Sequence, residues 1–267
     1  MTLNRLRFGS FLAPNILPVY QAISEAVGTS LGIVTELVVE TSYDNCREDV
    51  NDICFVCSLP YVMFQRDGVQ PATPVAAPVL QGRRYGKRPI YYSDVIVHVD
   101  NDARTFADLR GQSWAYNEPL SHSGYGITRY HLVEIGETSG FFGEVIEAGF
   151  HEKAIEMVRA RAVDASAIDS QVLEVAMRED PELSSSIRVI DALGPSTIQP
   201  VAISNRIEPP IRQAIVETIL DLHLTREGRE ALDAGMVDHF VTVDDGSYDD
   251  IRQMVDACEA ASFTVLR

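Results

Sequence analysis

Short apolar runs alternate along the chain with stretches whose apolar residues recur every three or four positions. The runs predict buried strands and the stretches predict amphipathic helices, so the alternation predicts an α/β fold. Residues 5–10 read as a first strand. Residues 14–28 follow as a helix, with Ile16, Val19, Tyr20 and Ile23 on one stripe and Gly28 closing it. Residues 36–40 and 53–57 are further strands, the latter ended by Ser58-Leu59-Pro60, after which residues 61–65 look helical. A proline-rich stretch, 70–78, leads into Val79-Leu80, and a long strand at 91–99 lies beyond a basic loop at 83–88. Residues 106–111 form a short helical turn before a strand at 113–116. Helices at 127–134 and 152–161 flank another turn region, and strands follow at 163–168 and 188–191. Three helical patterns end the chain, at 211–224, 226–234 and 248–261.

Composition narrows the class. Of 267 residues, 46% are hydrophobic and 23% charged, which suits a folded globular protein rather than a disordered one. The length allows one large domain or two of ordinary size. With 22 basic against 39 acidic side chains, the net charge is -17. That argues against nucleic acid or an anionic membrane surface as the main partner. No apolar run approaches the ~18 residues of a membrane span. The opening residues, Met1 to Phe8, lack the apolar core of a secretion signal, so the chain reads either as cytoplasmic or as one whose leader has been removed. Four cysteines, Cys46, Cys54, Cys57 and Cys258, are too few and too unevenly spaced for a disulfide scaffold.

Polar clusters fall just after predicted strands: Ser10-Phe11, Ser42-Tyr43, Ser58-Leu59-Pro60-Tyr61, Ser121-His122-Ser123-Gly124 and Asp169-Ser170. In open α/β sheets the carboxyl ends of strands form the ligand crevice, and the helix N-termini there favour anions. Ser121-His122-Ser123-Gly124-Tyr125-Gly126 is the sharpest of these, because hydroxyls and glycines at the mouth of a helix supply converging neutral donors. A plain serine N-cap with turn glycines explains the local sequence equally well. His151 opens another helix, where the positive end disfavours imidazolium until an anion arrives. A capping or surface histidine is the simpler reading of that residue.

Other motifs carry less. Cys54-Phe55-Val56-Cys57 matches C-x-x-C, but strand positions three apart face opposite ways, so two buried small residues are expected rather than a disulfide or metal site. No GxGxxG, Walker A, GxSxG or HExxH occurs. Asp244-Asp245 with Asp249-Asp250 reads as a solvated helix start, without EF-hand spacing. Arg83-Arg84-Tyr85-Gly86-Lys87-Arg88 reads as a solvated loop. Neither a metal nor a cofactor is implied.

An ordered set of segments resembles a known family. It comprises Asp52-Ile-Cys-Phe-Val-Cys-Ser-Leu-Pro-Tyr61, Tyr91-Tyr92-Ser93-Asp94-Val95-Ile96-Val97, Phe106-Ala-Asp-Leu-Arg-Gly111, Glu118-Pro-Leu-Ser-His-Ser-Gly-Tyr125, Gly149-Phe-His-Glu-Lys-Ala-Ile155 and Val163-Asp-Ala-Ser-Ala-Ile-Asp169. In order and spacing it is similar to the phosphate/phosphite/phosphonate-binding proteins of ABC transporters, over nearly the whole chain. The resemblance implies a type II periplasmic-binding-protein fold: two α/β lobes joined by two crossing strands, with a ligand cleft between them. The first lobe would be 1–88 with 200–267 and the second 89–199. The family's Ser-Thr-Ser-Gly-like turn corresponds to Ser121, His122 and Ser123, and its pocket tyrosines and histidine to Tyr43, Tyr91 and His151. Ser10, Phe11 and Ser58, from the clusters after the first and third strands, with Asp169 and Gln199, complete the expected ligand set. Aminophosphonate binders place carboxylates where Gln171 and Gln199 stand here, and His122 replaces the usual threonine. Both departures weigh against an aminoalkylphosphonate.

The implied function is non-catalytic capture of a small oxyanion with hinge closure, working with an ABC permease, as a monomer. A cytoplasmic enzyme on the same fold, with His151 or His122 as acid/base, or a sensor without a transporter, is the alternative. The charge of -17 then bears only on macromolecular partners, since a small anion can be held by local donors.

Overall fold

The computed structural model describes residues 4–266; Met1 to Leu3, part of the N-terminus read above for a leader, lie outside the described residues. In chain order the elements are β1 (Arg5–Ser10), α1 (Leu17–Leu31), β2 (Val34–Val39), α2 (Asp44–Arg47), β3 (Ile53–Phe55), α3 (Ser58–Arg66), β4 (Ala72–Leu80), β5 (Ile90–His98), β6 (Ser113–Tyr116), α4 (Ile127–Glu134), β7 (Glu144–Glu147), α5 (His151–Arg159), β8 (Ala165–Asp169), α6 (Ser170–Glu179), α7 (Leu183–Ser186), β9 (Ile187–Thr197), β10 (Val201–Ser204), α8 (Pro209–Asp221), α9 (Arg226–Ala234), β11 (Val237–Thr242) and α10 (Asp249–Ala260). They form two compact units, Met1–Ile90 with Thr197–Asp249 and Tyr91–Ser196 with Asp250–Arg267.

The first unit is built on a sheet in the order β11-β4-β10-β3-β1-β2. β1 pairs in parallel with β2 and with β3, while β10 runs antiparallel to β3 and β4, and β11 antiparallel to β4. One face packs on α1, whose Val19, Tyr20, Ile23 and Val27 are buried at helical spacing. The Tyr20 ring stacks on Phe55 at 4.3 Å, and Phe55 on Phe8 at 6.1 Å. Helix α1 runs past Gly28 and ends at Gly32, which takes the left-handed φ of 65°. Gly28 is needed instead for a close approach, since a Cβ there would lie 2.9 Å from Thr35 Oγ1.

The proline-rich stretch is a strand. β4 carries Pro74 and Pro78 in a central position, against the usual confinement of proline to edges. Its register with β10 shifts at Val201/Ala202, beside Pro74, and its register with β11 shifts between Val237 and His239. Such irregularities relieve the ladder where prolines cannot donate.

The second unit carries a sheet in the order β7-β6-β8-β5-β9. β6 is parallel to β7 and β8, and β5 is antiparallel to β8. Its core centres on Trp114, which stacks on Phe142 at 4.6 Å, with Phe106 stacked on Phe141 at 5.3 Å. The last helix differs from the sequence expectation. α10 and the following tail belong to this unit, whereas the sequence reading returns them to the first lobe. Buried Phe263 and Leu266 join the aromatic core. Arg129 donates to the Phe263 carbonyl at 2.6 Å, and the Leu266 N–H donates to the Tyr125 hydroxyl at 3.1 Å. Periodicity predicts a helix at 248–261 without indicating which core receives it.

The four cysteines are free thiols. Cys54 lies buried on β3, where a hydrogen bond to Cys46, then burial, pushes its thiol well up. Cys57 is part-exposed at the N-cap of α3.

Phe142→Ala removes the ring stacked on Trp114 and is expected to cost about 3–5 kcal/mol. Guanidinium unfolding followed by the fluorescence of Trp114, the single tryptophan, measures this. A loss below about 1 kcal/mol would show that the aromatic cluster is not the core of the unit.

Candidate functional site

Because β6, β7 and β8 are parallel, their carboxyl ends share one edge of the sheet. Ser121 to Gly124 follow β6, His151 opens α5 after β7, and Asp169 ends β8. β5 runs the other way, with Ser93 opposite Asp169, so Tyr91 near its start reaches the same edge. Topology thus collects residues spread from position 91 to position 169 at one place.

The chain after β6 turns through a single wide helical turn of π type, His122–Gly126. The Gly126 N–H reaches back to the Ser121 carbonyl at 3.0 Å, five residues away. Such turns are uncommon and recur at functional sites. Ser121 Oγ accepts the Gly124 N–H at 3.2 Å, so the capping reading of this serine is realised. Gly124 cannot carry a side chain, because a Cβ there would lie 2.0 Å from Asn117 Oδ1.

The turn and the start of α5 are joined by side chains. Ser123 Oγ lies 2.8 Å from His151 Nε2 and 3.3 Å from Ser121 Oγ. His122 points to a different partner, Ser196 Oγ, at 2.9 Å, and its ring meets Tyr91 edge-on at 6.4 Å. Ser121, His122, Ser123, His151 and Tyr91 are all buried. Ser196, at the end of β9, was not legible as a site residue, since it carries no strand-to-helix signal of its own.

Burial sets the charge of this cluster. Desolvation lowers His122 to about 3 and His151 to about 4. Both imidazoles are therefore neutral near pH 7. His151 Nδ1 is buried with no hydrogen-bond partner among the described residues. No lysine or arginine belongs to the cluster. It offers hydroxyls and neutral rings, which can donate to an anion, and an anion beside His151 would in turn favour the imidazolium.

Asp169 has a structural task. Its Oδ1 accepts the Gln171 N–H at 2.8 Å and the Val172 N–H at 3.5 Å, which caps α6. Gln171 and Gln199 are buried.

The first unit collects the remaining residues by the same rule. Ser10 ends β1 with Phe11 behind it, Tyr43 follows β2, and Ser58 opens α3 after β3. Gln199 precedes β10, whose Val201 lies opposite Phe55 at the carboxyl end of β3. Phe11 stacks on Tyr43 at 5.2 Å. Ser10 Oγ and Ser58 Oγ are buried with no hydrogen-bond partner among the described residues. Each of these hydroxyls retains the capacity to donate to or accept from a group outside the chain. The structure therefore gathers Ser10, Phe11, Tyr43, Ser58 and Gln199 in one unit, and Tyr91, Ser121, His122, Ser123, His151 and Asp169 in the other.

Elsewhere, the basic segment includes one short helical turn, Arg83–Tyr85, with its arginines exposed and Tyr85 buried. Asp244 caps a turn through Ser247, and Asp245 accepts from the Tyr61 hydroxyl at 2.5 Å. Among the described residues no group of three or more His, Cys, Asp or Glu forms a metal cluster, and no helix is long and apolar enough to cross a membrane.

Two outcomes follow from this geometry. Gly124→Ala forces the turn away from Asn117 and is expected to destabilise the second unit by roughly 1–3 kcal/mol, read by thermal melting; an unchanged melting temperature would contradict the close approach. The depressed histidines act on acid stability. The unfolded chain takes up protons near 6.5 while folded His151 resists until about 4. Stability is thus complete above that window and lost as pH falls through it, by on the order of 3 kcal/mol for His151. Melting from pH 7 to 4 should show this loss, and His151→Gln should flatten it; an equally steep curve in the variant would assign it elsewhere.

A family model described as ABC transporter, phosphonate, periplasmic substrate-binding protein matches residues 12–248. Among solved structures, a binding protein component of an ABC phosphonate transporter from Pseudomonas aeruginosa superposes with a TM-score of 0.83 at 16% identity, over 99% of this chain and 90% of that one. A Prochlorococcus marinus structure in complex with methylphosphonate gives 0.81 at 17% identity, over 96% and 98%. A Xanthomonas citri structure bound to ATP gives 0.69 at 15% identity, over 99% and 100%. These likenesses establish the type II periplasmic-binding-protein fold. The extent of the family match establishes more: the chain belongs to the periplasmic substrate-binding proteins of phosphonate ABC transporters.

Proposed function

We propose that this chain captures a small phosphonate-type oxyanion outside the cytoplasm and hands it to an ABC permease, as a monomer and without turning the ligand over. The observation that carries the ligand class is the buried contact of Ser123 Oγ with both His151 Nε2 and Ser121 Oγ. Hydroxyl and neutral imidazole donors suit a tetrahedral anion, and a desolvated setting strengthens each bond. The methylphosphonate complex of the Prochlorococcus marinus protein, on the same fold, supports the assignment.

One ligand is proposed to engage both sets of residues. Its oxyanion would rest on Ser121, Ser123 and His151, with Tyr91 and His122 beside them. Ser10, Ser58 and Tyr43 would supply the contacts of the first unit, backed by Phe11. A ligand touching both units favours the closed form by its differential affinity. The proposed ligand carries no amine. Gln171 and Gln199 stand where aminophosphonate binders resemble this chain with carboxylates, and Asp169 is engaged in capping α6.

Binding without turnover is the reading that the cluster supports over an enzyme. A serine 2.8 Å from a histidine resembles a nucleophile and its base. Here His151 Nδ1 has no carboxylate to orient it, and burial holds the ring near 4, a weak base at neutral pH.

Calorimetry of the purified chain against methylphosphonate, phosphite, phosphate and an uncharged metabolite tests the ligand class. Ser121→Ala and Ser123→Ala should each weaken oxyanion binding by about 1–3 kcal/mol, or about 5- to 150-fold. Tight binding of the uncharged metabolite alone would overturn the proposal. Repeating the titration in buffers of different ionisation heat should reveal proton uptake near pH 5.5 that His151→Gln removes, because the anion raises the His151 pKa. Uptake unchanged in the variant would place the proton elsewhere.

A further inference from the structure

A second pair of histidines lies within the first unit, outside the residues assigned above. His223 sits in the short turn Leu222–Leu224 after α8, and His239 lies on β11, which packs against that turn. Their ring centroids are 6.0 Å apart with the planes tilted by 59°. Each ring is only partly buried, so solutes reach both.

The hydrogen bonds of the two rings are matched. His223 Nδ1 lies 2.8 Å from the Leu220 carbonyl, and His239 Nδ1 lies 2.8 Å from Asp238 Oδ2. A carbonyl and a carboxylate only accept, so both Nδ1 atoms must carry the proton. In the neutral rings this leaves the lone pair on each Nε2. A carbonyl or carboxylate on one nitrogen is the arrangement that fixes the tautomer and ring orientation of metal-binding histidines.

The backbone around the pair is also fixed. Arg229 of α9 donates to the carbonyl of His223 at 3.4 Å and to that of Asp238, next to His239, at 2.8 Å. One guanidinium thus ties both histidine-bearing segments together. Its charge is opposed by Asp233 at 3.9 Å. Two imidazoles on one ion, at nitrogen–metal distances of about 2.0–2.1 Å, have centroids roughly 5–6 Å apart. The observed separation is at the upper end of that range.

We propose that His223 and His239 form a two-histidine site for a divalent transition-metal ion of the zinc, nickel or copper class, with water completing the coordination. The nitrogen donors select this class over magnesium or calcium, which prefer oxygen. Two protein ligands make the site weaker than a structural zinc centre, which has four. A bound ion would clip β11 to the turn after α8, adding a cross-link at one margin of the unit.

Isothermal titration of the full chain with zinc chloride, in a buffer that does not bind the metal, tests this. One ion per chain is expected, with His223→Ala and His239→Ala each weakening binding at least tenfold and Asp238→Asn weakening it by about tenfold. Zinc should raise the melting temperature of the unaltered chain and leave that of His239→Ala unchanged. A measurement on the unaltered chain avoids reliance on variants: substoichiometric copper(II) should broaden the NMR ring signals of His223 and His239 before those of His98 and His131. Broadening that starts at other histidines, or zinc affinity unchanged in both alanine variants, overturns the proposal. Methylphosphonate binding serves as a separate readout that His239→Ala should not move.

Discussion

The parallel pairing of β6 with β7 and β8 is the constraint on which the second unit's site depends. Parallel strands place every strand-to-helix connection on the same edge, so three loops with unrelated sequences converge without any one of them encoding the meeting. The hydrogen bond between Ser123 and His151 is the product of that convergence. It links the turn after β6 to the helix after β7, and it needs Gly124 pressed against Asn117 to bring the turn down to that depth. The first unit repeats the arrangement with β1, β2 and β3, which bring Ser10, Tyr43 and Ser58 to one edge.

The electrostatics follow from burial rather than from charge. A chain of net charge -17 is an unpromising partner for an anion at long range. Salt screens such surface charge over about 8–10 Å, whereas a donor in contact acts at full strength. The cluster holds no fixed cation, so the proposed anion would be selected by hydrogen-bond geometry and by what the buried imidazoles tolerate. His151 is neutral because water is excluded from it, and an anion sharing that exclusion would favour its protonated form, a stronger donor. The same desolvation makes the two histidines a liability in acid.

Much of this was legible in the sequence. β1 and β6 fall on the predicted residues, and α4 and α9 likewise, because their apolar periods are undiluted and their ends carry polar or glycine signals. The serine clusters stood out by position, as polar residues immediately after strands, but a plain N-cap explained the turn after β6 equally well. His151, whose preceding strand β7 was not apparent, was favoured as a ligand only through the family resemblance. What was hidden depended on neighbours. β4 was not legible as a strand because Pro74 and Pro78 mask it, and its register shifts accommodate them. β7, with four residues, and β11, with polar residues between its apolar ones, are too short or too mixed to stand out locally. The helix α6 follows β8 without a gap, so no turn residue marks its start; Asp169, which reads as a candidate ligand, is its cap. Ser196 became visible only when the fold brought it to His122.

The central claim is that the oxyanion rests on the turn after β6 and the start of α5. A crystal structure of the chain with methylphosphonate tests it most directly. The phosphonate oxygens should lie within hydrogen-bond distance of Ser121 Oγ, Ser123 Oγ and His151 Nε2, with the serine–histidine contact opened to admit them. A phosphonate bound elsewhere, with Ser123 and His151 still in contact with each other, would contradict the account.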